Sequence, residues 1–290
     1  MSTWSIFWQQ IANGLVNGMS YVLIAVGLTL VFGVLRIVNF AHGEFYMLGA
    51  FATYFIMSLL GIPYVPAALL ATVVVAAVGI LSNQILFRPL RREHEFTILM
   101  VSLGLSLMLA NGGEVLFGAD PKYIPSPYSD LAIDIGDVFM TVQRLIVLLA
   151  AIVLIALVYL FIRYTTLGKM MRATAQNREG AALSGVDIDR IYAYTFALAC
   201  GLAAAAGALL GPTAMIFPTI GEWAVIKAFI VVVMGGLGSM GGAVVGGLLL
   251  GIVEALGANY VSIAFKDAIG YAIIIGVLLW RPAGLFAKAR

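Results

Sequence analysis

The chain has 290 residues, of which 62% are hydrophobic and 10% are charged, and its net charge is +2. A soluble domain of this size needs about 25% charged residues to cover its surface, so the composition excludes a soluble fold. It indicates a membrane protein, and the small net charge gives no sign of nucleic-acid binding. Cys200, the single cysteine, lies in an apolar run without a disulfide or metal-site partner, so we expect it to pack in the core.

Apolar runs long enough to cross a bilayer, which takes about 20 helical residues, occur eight or nine times. We therefore predict an all-α fold, a polytopic transmembrane helical bundle in one domain over residues 1–290. The first run is too long for a signal peptide and lacks a positive leader, so we expect it to stay as a membrane helix. The seventh run is short and fits a half-helix. The predicted spans are 11–34, 45–60, 66–87, 96–117, 143–162, 191–212, 223–234, 241–256 and 267–280.

Basic residues fall in three clusters, and the apolar runs between them hold almost no charge. Lys and Arg in short loops mark the cytoplasmic side of a membrane protein. Two predicted spans separate the first cluster from the second, and four separate the second from the third. An even number of crossings returns the chain to the same side, so all three clusters fit the cytoplasmic side. This predicts an N-terminus and a loop at about 118–142 on the outer side of the membrane, and a C-terminus and a loop at about 163–190 on the cytoplasmic side. The clusters are Arg88, Arg91 and Arg92; Arg163, Lys169, Arg172, Arg178 and Arg190; and Arg281, Lys288 and Arg290.

Two segments interrupt the apolar pattern. The first, 36–44, carries an amide, an imidazole and a carboxylate, and the second, 235–242, has five glycines in eight residues. Polar groups are costly in lipid, and irregular backbone at membrane depth needs protein or water around it. Such interruptions point to a transport pathway. The alternative for His42 and Glu44 is a structural hydrogen-bonded pair at the membrane surface. The predicted pathway residues are Asn39, His42, Glu44, Gly236, Gly238 and Ser239.

A lysine inside an apolar run needs a carboxylate to neutralise it. We expect Lys227 and Glu254, on the seventh and eighth spans, to form a structural ion pair rather than a substrate site. The sequence has no His-Glu-x-x-His, Walker or Gly-x-Ser-x-Gly motif. We therefore predict no enzyme activity, no metal site and no ATP hydrolysis by this chain. Weaker candidates for a polar lining are Asn13, Asn17, Asn111 and Glu114.

The loop at 163–190 is too long for a simple turn between two spans, and loops of this length usually have a function. We predict a short helix in its centre from about Asn177 to Leu183, ended by Gly185. The small residues of that helix fit a narrow groove on a partner. The alternative is a basic segment that rests on anionic lipid headgroups.

Three parts of the chain resemble the Liv-type permeases, the membrane subunits of branched-chain amino acid ABC importers, and most closely their H-type subunit. The first is Ile-Val-Asn-Phe-Ala-His-Gly-Glu at 37–44. The second is Met-Gly-Gly-Leu-Gly-Ser at 234–239, followed by the glycines of 246–251 and by Glu254. The third lies in the long loop. Because the three occur in order over nearly the whole chain, the resemblance is specific.

The resemblance implies an ABC-importer permease fold in a bacterial inner membrane, with no cofactor in this chain. It implies several partners: a second, M-type permease, two ATPase subunits that use ATP, a periplasmic solute-binding protein and the lipid bilayer. By the same resemblance, the residues that couple to the ATPase are Arg172, Ala173, Asn177, Ala181, Ala182 and Gly185.

Two other functions stay open on the sequence. Segment 211–215 lacks the polar or aromatic character expected after the sixth span, which keeps open a permease of the same family for urea, short amides or aromatic acids. A secondary transporter or channel driven by an ion gradient would need no ATPase partner. An integral-membrane enzyme would need a cluster of ligands or nucleophiles, which the sequence does not contain.

Overall fold

The computed structural model describes residues 3–91, 93–136 and 138–286. Arg92, Lys288 and Arg290 of the predicted basic clusters lie outside the described residues. The described part contains eleven α-helices and one two-stranded hairpin. They are α1 (Thr3–Leu35), α2 (His42–Leu60), α3 (Tyr64–Ser82), α4 (Glu95–Phe117), β1 (Ala132–Ile135), β2 (Val138–Thr141), α5 (Val142–Tyr164), α6 (Thr166–Gln176), α7 (Arg178–Leu183), α8 (Ile188–Leu210), α9 (Ile220–Gly235), α10 (Met240–Tyr260) and α11 (Lys266–Trp280).

The helical bundle confirms the predicted fold class. By length and composition, eight helices of the described part can cross a membrane, which agrees with the expected eight or nine. The predicted seventh span is α9, which has 16 residues and is about 24 Å long at 1.5 Å per residue. It is therefore shorter than a hydrocarbon core of about 30 Å.

Helix α1 is the centre of the bundle, and it packs against α10, α8 and α9. Glycines bring α1 and α10 close together. A Cβ atom on Gly251 of α10 would lie 2.3 Å from the backbone nitrogen of Gly18 on α1. Close backbone approach of this kind is how membrane helices gain packing contacts where lipid offers no hydrophobic driving force. Cys200 lies fully buried on α8 against α3, as expected.

Helices α3, α4, α5 and α11 form the periphery and expose apolar side chains along much of their length. The loop before α6 and the C-terminus of α1 share one end of the bundle, because α6 contacts α1. We call this the inner end. The loop at 118–142 lies at the opposite end of α5, which we call the outer end.

Two helices begin inside the bundle rather than at its ends. After α1, Arg36 adopts a positive φ of 57°, and the chain turns back so that α2 starts at His42. A ring nitrogen of His42 lies 3.1 Å from the carbonyl oxygen of Ile24, which precedes the end of α1 by about 16 Å along the helix. Helix α9 also starts here, since a Cβ atom on Gly43 would lie 2.0 Å from the Gly221 oxygen.

The outer loop contains the antiparallel hairpin β1–β2, which the all-α prediction missed. Each strand has only four residues, too few for the alternation of apolar and polar residues to stand out in the sequence. A backbone bridge between Lys122 and Ile216, with both N–H to O distances at 2.8 Å, ties this loop to the segment before α9.

Candidate functional site

The predicted pathway residues of the first interruption are fully buried where α2 begins. The Oδ1 atom of Asn39 accepts a hydrogen bond from the Ala41 backbone at 3.1 Å. His42 contacts the Ile24 carbonyl of α1, and the Ser106 hydroxyl of α4 donates to Glu44 Oε1 at 3.0 Å. His42 and Glu44 therefore have different partners, and a His42–Glu44 pair at the membrane surface is wrong. We call Asn39, His42 and Glu44 the polar junction.

Several buried polar atoms at this junction lack a hydrogen-bond partner within the described part of the chain. They are Oε2 of Glu44, Nδ1 of His42 and Nδ2 of Asn39. Buried polar atoms are nearly always hydrogen-bonded in proteins, so an unpaired group indicates a functional role, a bound water or a bound ion. The free carboxylate oxygen of Glu44 lies against Gly221, where a Cβ atom would come within 2.4 Å of it.

The second interruption forms the turn between α9 and α10. Gly236 and Gly238 adopt positive φ angles of 101° and 80°, and the Ser239 hydroxyl accepts a hydrogen bond from Gly242 N at 3.1 Å as the N-cap of α10. The positive φ angles explain the glycines, because other residues rarely adopt that backbone conformation. Ser239 therefore has a structural role at the start of α10.

The two interruptions meet at the inner end around a cavity of about 1670 Å³. A Cβ atom on Gly33, near the end of α1, would lie 3.5 Å from the Gly238 Cα atom. Gly238 alone among the predicted pathway residues lines this inner cavity. Its walls include Phe32, Arg36, Val38, Glu95, Leu99, Leu237 and Arg281.

A second cavity, of about 820 Å³, opens at the outer end of the bundle. Residues from α1, α2, α5, the outer loop and the segment before α9 share its walls, so no single stretch of sequence indicated it. Of the weaker candidates for a polar lining, only Asn17 contributes to it. Its other walls include Val16, Tyr46, Asp130, Arg144, Ile216, Ile220 and Trp223.

A buried ion cluster joins α9 to α10 and α11. Lys227 Nζ lies 2.5 Å from Glu254 Oε1 and 2.7 Å from Asp267 Oδ1. The Tyr21 hydroxyl of α1 donates to Glu254 Oε2 at 2.8 Å. The side chains of Lys227 and Glu254 are 2% and 0% exposed, whereas that of Asp267 is 58% exposed. The sequence suggested the first two residues, but it gave no reason to connect Tyr21 or Asp267 with them.

The long inner loop folds into α6 and α7, and the predicted short helix is confirmed as α7. Asn177 separates the two helices and caps α7, because its Oδ1 atom accepts from Gly180 N at 2.9 Å. Gly185 follows the helix with a positive φ of 83°, which explains why the helix stops there. Met171 and Thr174 anchor α6 by burying their side chains against the bundle.

The side chains of the predicted coupling residues point in two directions. Ala181 is buried inside the chain, so its side chain is not available to a partner. Ala182 is exposed, and so is Leu183, whose side chain is 90% exposed. The sequence analysis missed Leu183, although a large apolar residue at the end of a capped helix in a polar loop was the available signal. The other exposed coupling residues are Arg172, Ala173, Asn177 and Gly185.

An arginine–aromatic contact connects this loop to the end of α3. The Arg91 guanidinium lies 4.6 Å from the centre of the Tyr192 ring on α8, and the Arg178 guanidinium lies 5.8 Å from the same ring. Arg91 also pairs with Asp189, as does Arg88 at 2.7 Å. Burial lowers the pKa of Arg91, and the charge of Asp189 opposes that shift. Arg178 of α7 and Arg91 of the connection between α3 and α4 therefore contact the same aromatic ring near the start of α8.

Comparison with known proteins shows the family of the chain. The family model for the branched-chain amino acid transport system permease component matches residues 10–278. The chain is 36% identical to the high-affinity branched-chain amino acid transport system permease protein LivH of Escherichia coli K12, over 97% of this chain and 96% of LivH. It is 37% identical to BraD of Pseudomonas aeruginosa, a permease protein of the same description, over 97% of this chain and 95% of BraD. A probable LivH of Methanocaldococcus jannaschii is 28% identical over 91% and 87%.

We predict that Lys227→Ala lowers the free energy of unfolding by about 3–5 kcal/mol, because it leaves the Glu254 carboxylate buried without its cation. Adding Glu254→Gln should restore part of that loss. The measurement is thermal or denaturant unfolding of the purified protein in detergent, read as a double-mutant cycle. Asp267→Asn is the matched control and should cost less, since that carboxylate is half exposed. Additive effects of Lys227→Ala and Glu254→Gln would contradict a coupled buried pair.

Proposed function

The chain belongs to the permease family of branched-chain amino acid transport systems, and from this premise we propose that it forms one membrane half of an ATP-driven importer. Its substrates are branched-chain or chemically related amino acids, as the names of LivH and BraD indicate for those relatives. The observation that carries the proposal is α7, a capped helix that presents Ala182 and the almost fully exposed Leu183 at the inner end. Such an apolar tip in a basic loop fits a groove on an ATPase subunit better than it fits water.

Energy for transport comes from partner subunits in this proposal. A second permease completes the membrane part, two ATPase subunits bind the inner end, and a solute-binding protein delivers substrate to the outer end. Closure of the ATPases moves α7, and the contacts of Arg91 and Tyr192 transmit that movement to α3 and α8. Both helices pack against others in the bundle core, α3 on α2 and α8 on α1 and α2, so the movement reaches the centre.

The transport pathway crosses the level of the polar junction. The outer cavity reaches α1 near its middle, at Val16, and the inner cavity reaches it near its C-terminal end, at Phe32, about 24 Å further along the helix. Phe40, in the segment that forms the polar junction, contacts Phe229 of α9 with ring centres 5.0 Å apart. The unpaired buried polar atoms of Glu44 and His42 at this level support a place where water or substrate enters when the helices move.

We propose that the inner end faces the cytoplasm, because the described basic residues of the three clusters lie there and positive loops stay inside. Single cysteines test this orientation without background, since Cys200 is buried. In intact cells, a membrane-impermeant maleimide should label Asp134→Cys in the outer hairpin and should label Ser184→Cys after α7 only once the cells are permeabilised. The opposite pattern would reverse the proposed orientation.

The proposed function predicts that the chain is inactive without its ATPase partners. Proteoliposomes that hold both permeases and the ATPases, supplied with the binding protein, should accumulate leucine when ATP is provided. Vesicles that lack the ATPases should show no uptake above background. Uptake by the permease alone under a proton or sodium gradient would instead support a secondary transporter.

Within that complex, we predict that Leu183→Arg lowers ATP-driven uptake by about tenfold or more, because a charged side chain cannot enter an apolar groove without a large desolvation cost. Assembly of the two permeases, measured by size-exclusion chromatography, should be unchanged. Lys169→Ala, at an exposed position on α6, is the control and should transport normally. Normal uptake by Leu183→Arg would show that α7 is not the coupling element. Ala181→Arg should unfold the loop, since Ala181 is buried.

A further inference from the structure

The outer cavity carries one cationic and one anionic side chain, and neither is paired with an opposite charge in the described part of the chain. Arg144 lies near the start of α5, where one guanidinium N–H donates to the neutral amide oxygen of Asn13 at 2.9 Å. Asp130 lies in the outer loop and makes no ion pair or hydrogen bond with another described side chain. Buried or partly buried cations elsewhere in the described part differ from Arg144, since Arg91 pairs with Asp189 and Lys227 pairs with Glu254 and Asp267.

The remaining cavity wall is mostly apolar and firmly placed. Val16, Ile216 and Ile220 contribute aliphatic surface, and all three belong to the buried set of the bundle. Trp223 is held edge-to-face against Tyr21 with ring centres 5.7 Å apart. The volume of about 820 Å³ lies within the range of roughly 300–1000 Å³ that is typical of small-molecule sites.

Gln143 also lines the cavity, but the protein already uses its amide. Its Oε1 atom accepts from the Ser126 hydroxyl at 2.9 Å, and its Nε2 atom donates to the Tyr64 hydroxyl and to the Leu209 carbonyl, both at 3.1 Å. This side chain therefore joins α5 to α3 and α8 and has little capacity left for a ligand. The charged groups available to a ligand on the cavity wall are those of Arg144 and Asp130.

We propose that the outer cavity is a binding site for a zwitterionic α-amino acid with an apolar side chain. The Arg144 guanidinium binds the α-carboxylate, Asp130 binds the α-ammonium group, and the side chain lies on the aliphatic wall near Ile216 and Ile220. This assignment rests on the proposed transport function and names a substrate site within it. Guanidinium–carboxylate pairing is among the strongest charge-assisted hydrogen bonds, since two N–H groups match two oxygens.

Ligands of other charge fit this cavity less well. Urea or a short amide would leave both charges without a counter-charge, and an organic acid or an amine would neutralise only one. Arg144 is partly buried and Asp130 is exposed, and a ligand that carries both signs is the kind that offers each of them an opposite charge. The segment 211–217, which lacks polar side chains apart from Thr213, then has a clear role as apolar wall beside the two charged residues.

The test measures equilibrium binding to the complete transporter in lipid nanodiscs, without the binding protein. Radiolabelled leucine is the direct probe. The competitors are leucinamide, which lacks the carboxylate, and 4-methyl-2-oxopentanoate, which lacks the ammonium group. We expect Arg144→Met to lower the affinity for leucine by about tenfold or more and to leave that for leucinamide within about twofold. Asp130→Asn should lower the affinity for leucine but not for the oxo acid.

Two controls separate ligand binding from structure. Arg144→Lys keeps the charge and should recover part of the leucine affinity, and Asp134→Asn, on the exposed hairpin outside the cavity, should have no effect. If Arg144→Met does not assemble, the comparison rests on Asp130→Asn at its exposed position. Equal losses for all three compounds, unchanged leucine binding in both variants, or no leucine binding by the unaltered transporter would each overturn the site. ATP-driven uptake by the unaltered complex would still support the proposed function in every one of these cases.

Discussion

The structure depends on one constraint, which is that a bilayer offers no water to bond an exposed peptide group. Helices satisfy that constraint within themselves, and this explains why nearly all described residues between the loops are helical. Where the helices are interrupted, the protein itself surrounds the chain. The start of α2 contacts α1 through His42 and α4 through Glu44, and Gly43 packs directly on Gly221 of α9. The first interruption therefore lies in a well-packed part of the bundle, whereas the second, at 235–242, borders the inner cavity.

The bilayer also constrains charged side chains, because a buried charge needs a partner of opposite sign. In the core, Lys227 is neutralised by two carboxylates and one of these also accepts a bond from Tyr21, so the cluster fastens four helices. At the inner end, Asp189 of α8 pairs with Arg88 and Arg91, which lie in the connection between α3 and α4. The outer cavity differs from both, because its Arg144 and Asp130 form no ion pair with any of the described residues. The paired charges hold helices together, and the unpaired charges of the outer cavity are available to bind a ligand.

Much of the organisation could be predicted from the sequence because the bilayer makes composition informative. Span number, the short seventh segment, α7 and the Gly185 stop all follow from local patterns of apolar and glycine residues, whereas the Asn177 cap came from the structure. The directions in which the side chains of α7 point could not be predicted from these local patterns. Ala181 and Ala182 are adjacent small residues, yet one is buried and the other exposed, and Leu183 was passed over although it is a large apolar residue that is 90% exposed. Which side of a six-residue helix is buried depends on the elements packed against it and not on its own sequence.

The sequence by itself determined that this chain spans a membrane many times and which family of permeases it belongs to, because hydropathy and motif order are properties of the linear chain. Only the tertiary structure decided which polar groups meet. Tyr21 and Glu254 are 233 residues apart, and Asn13 and Arg144 are 131 residues apart. Their encounter depends on how glycine-lined helices cross, and a shift of one helix by a single turn would move these contacts by about 5.4 Å. Cavities and ion clusters arise from such crossings, which no local pattern of residues encodes.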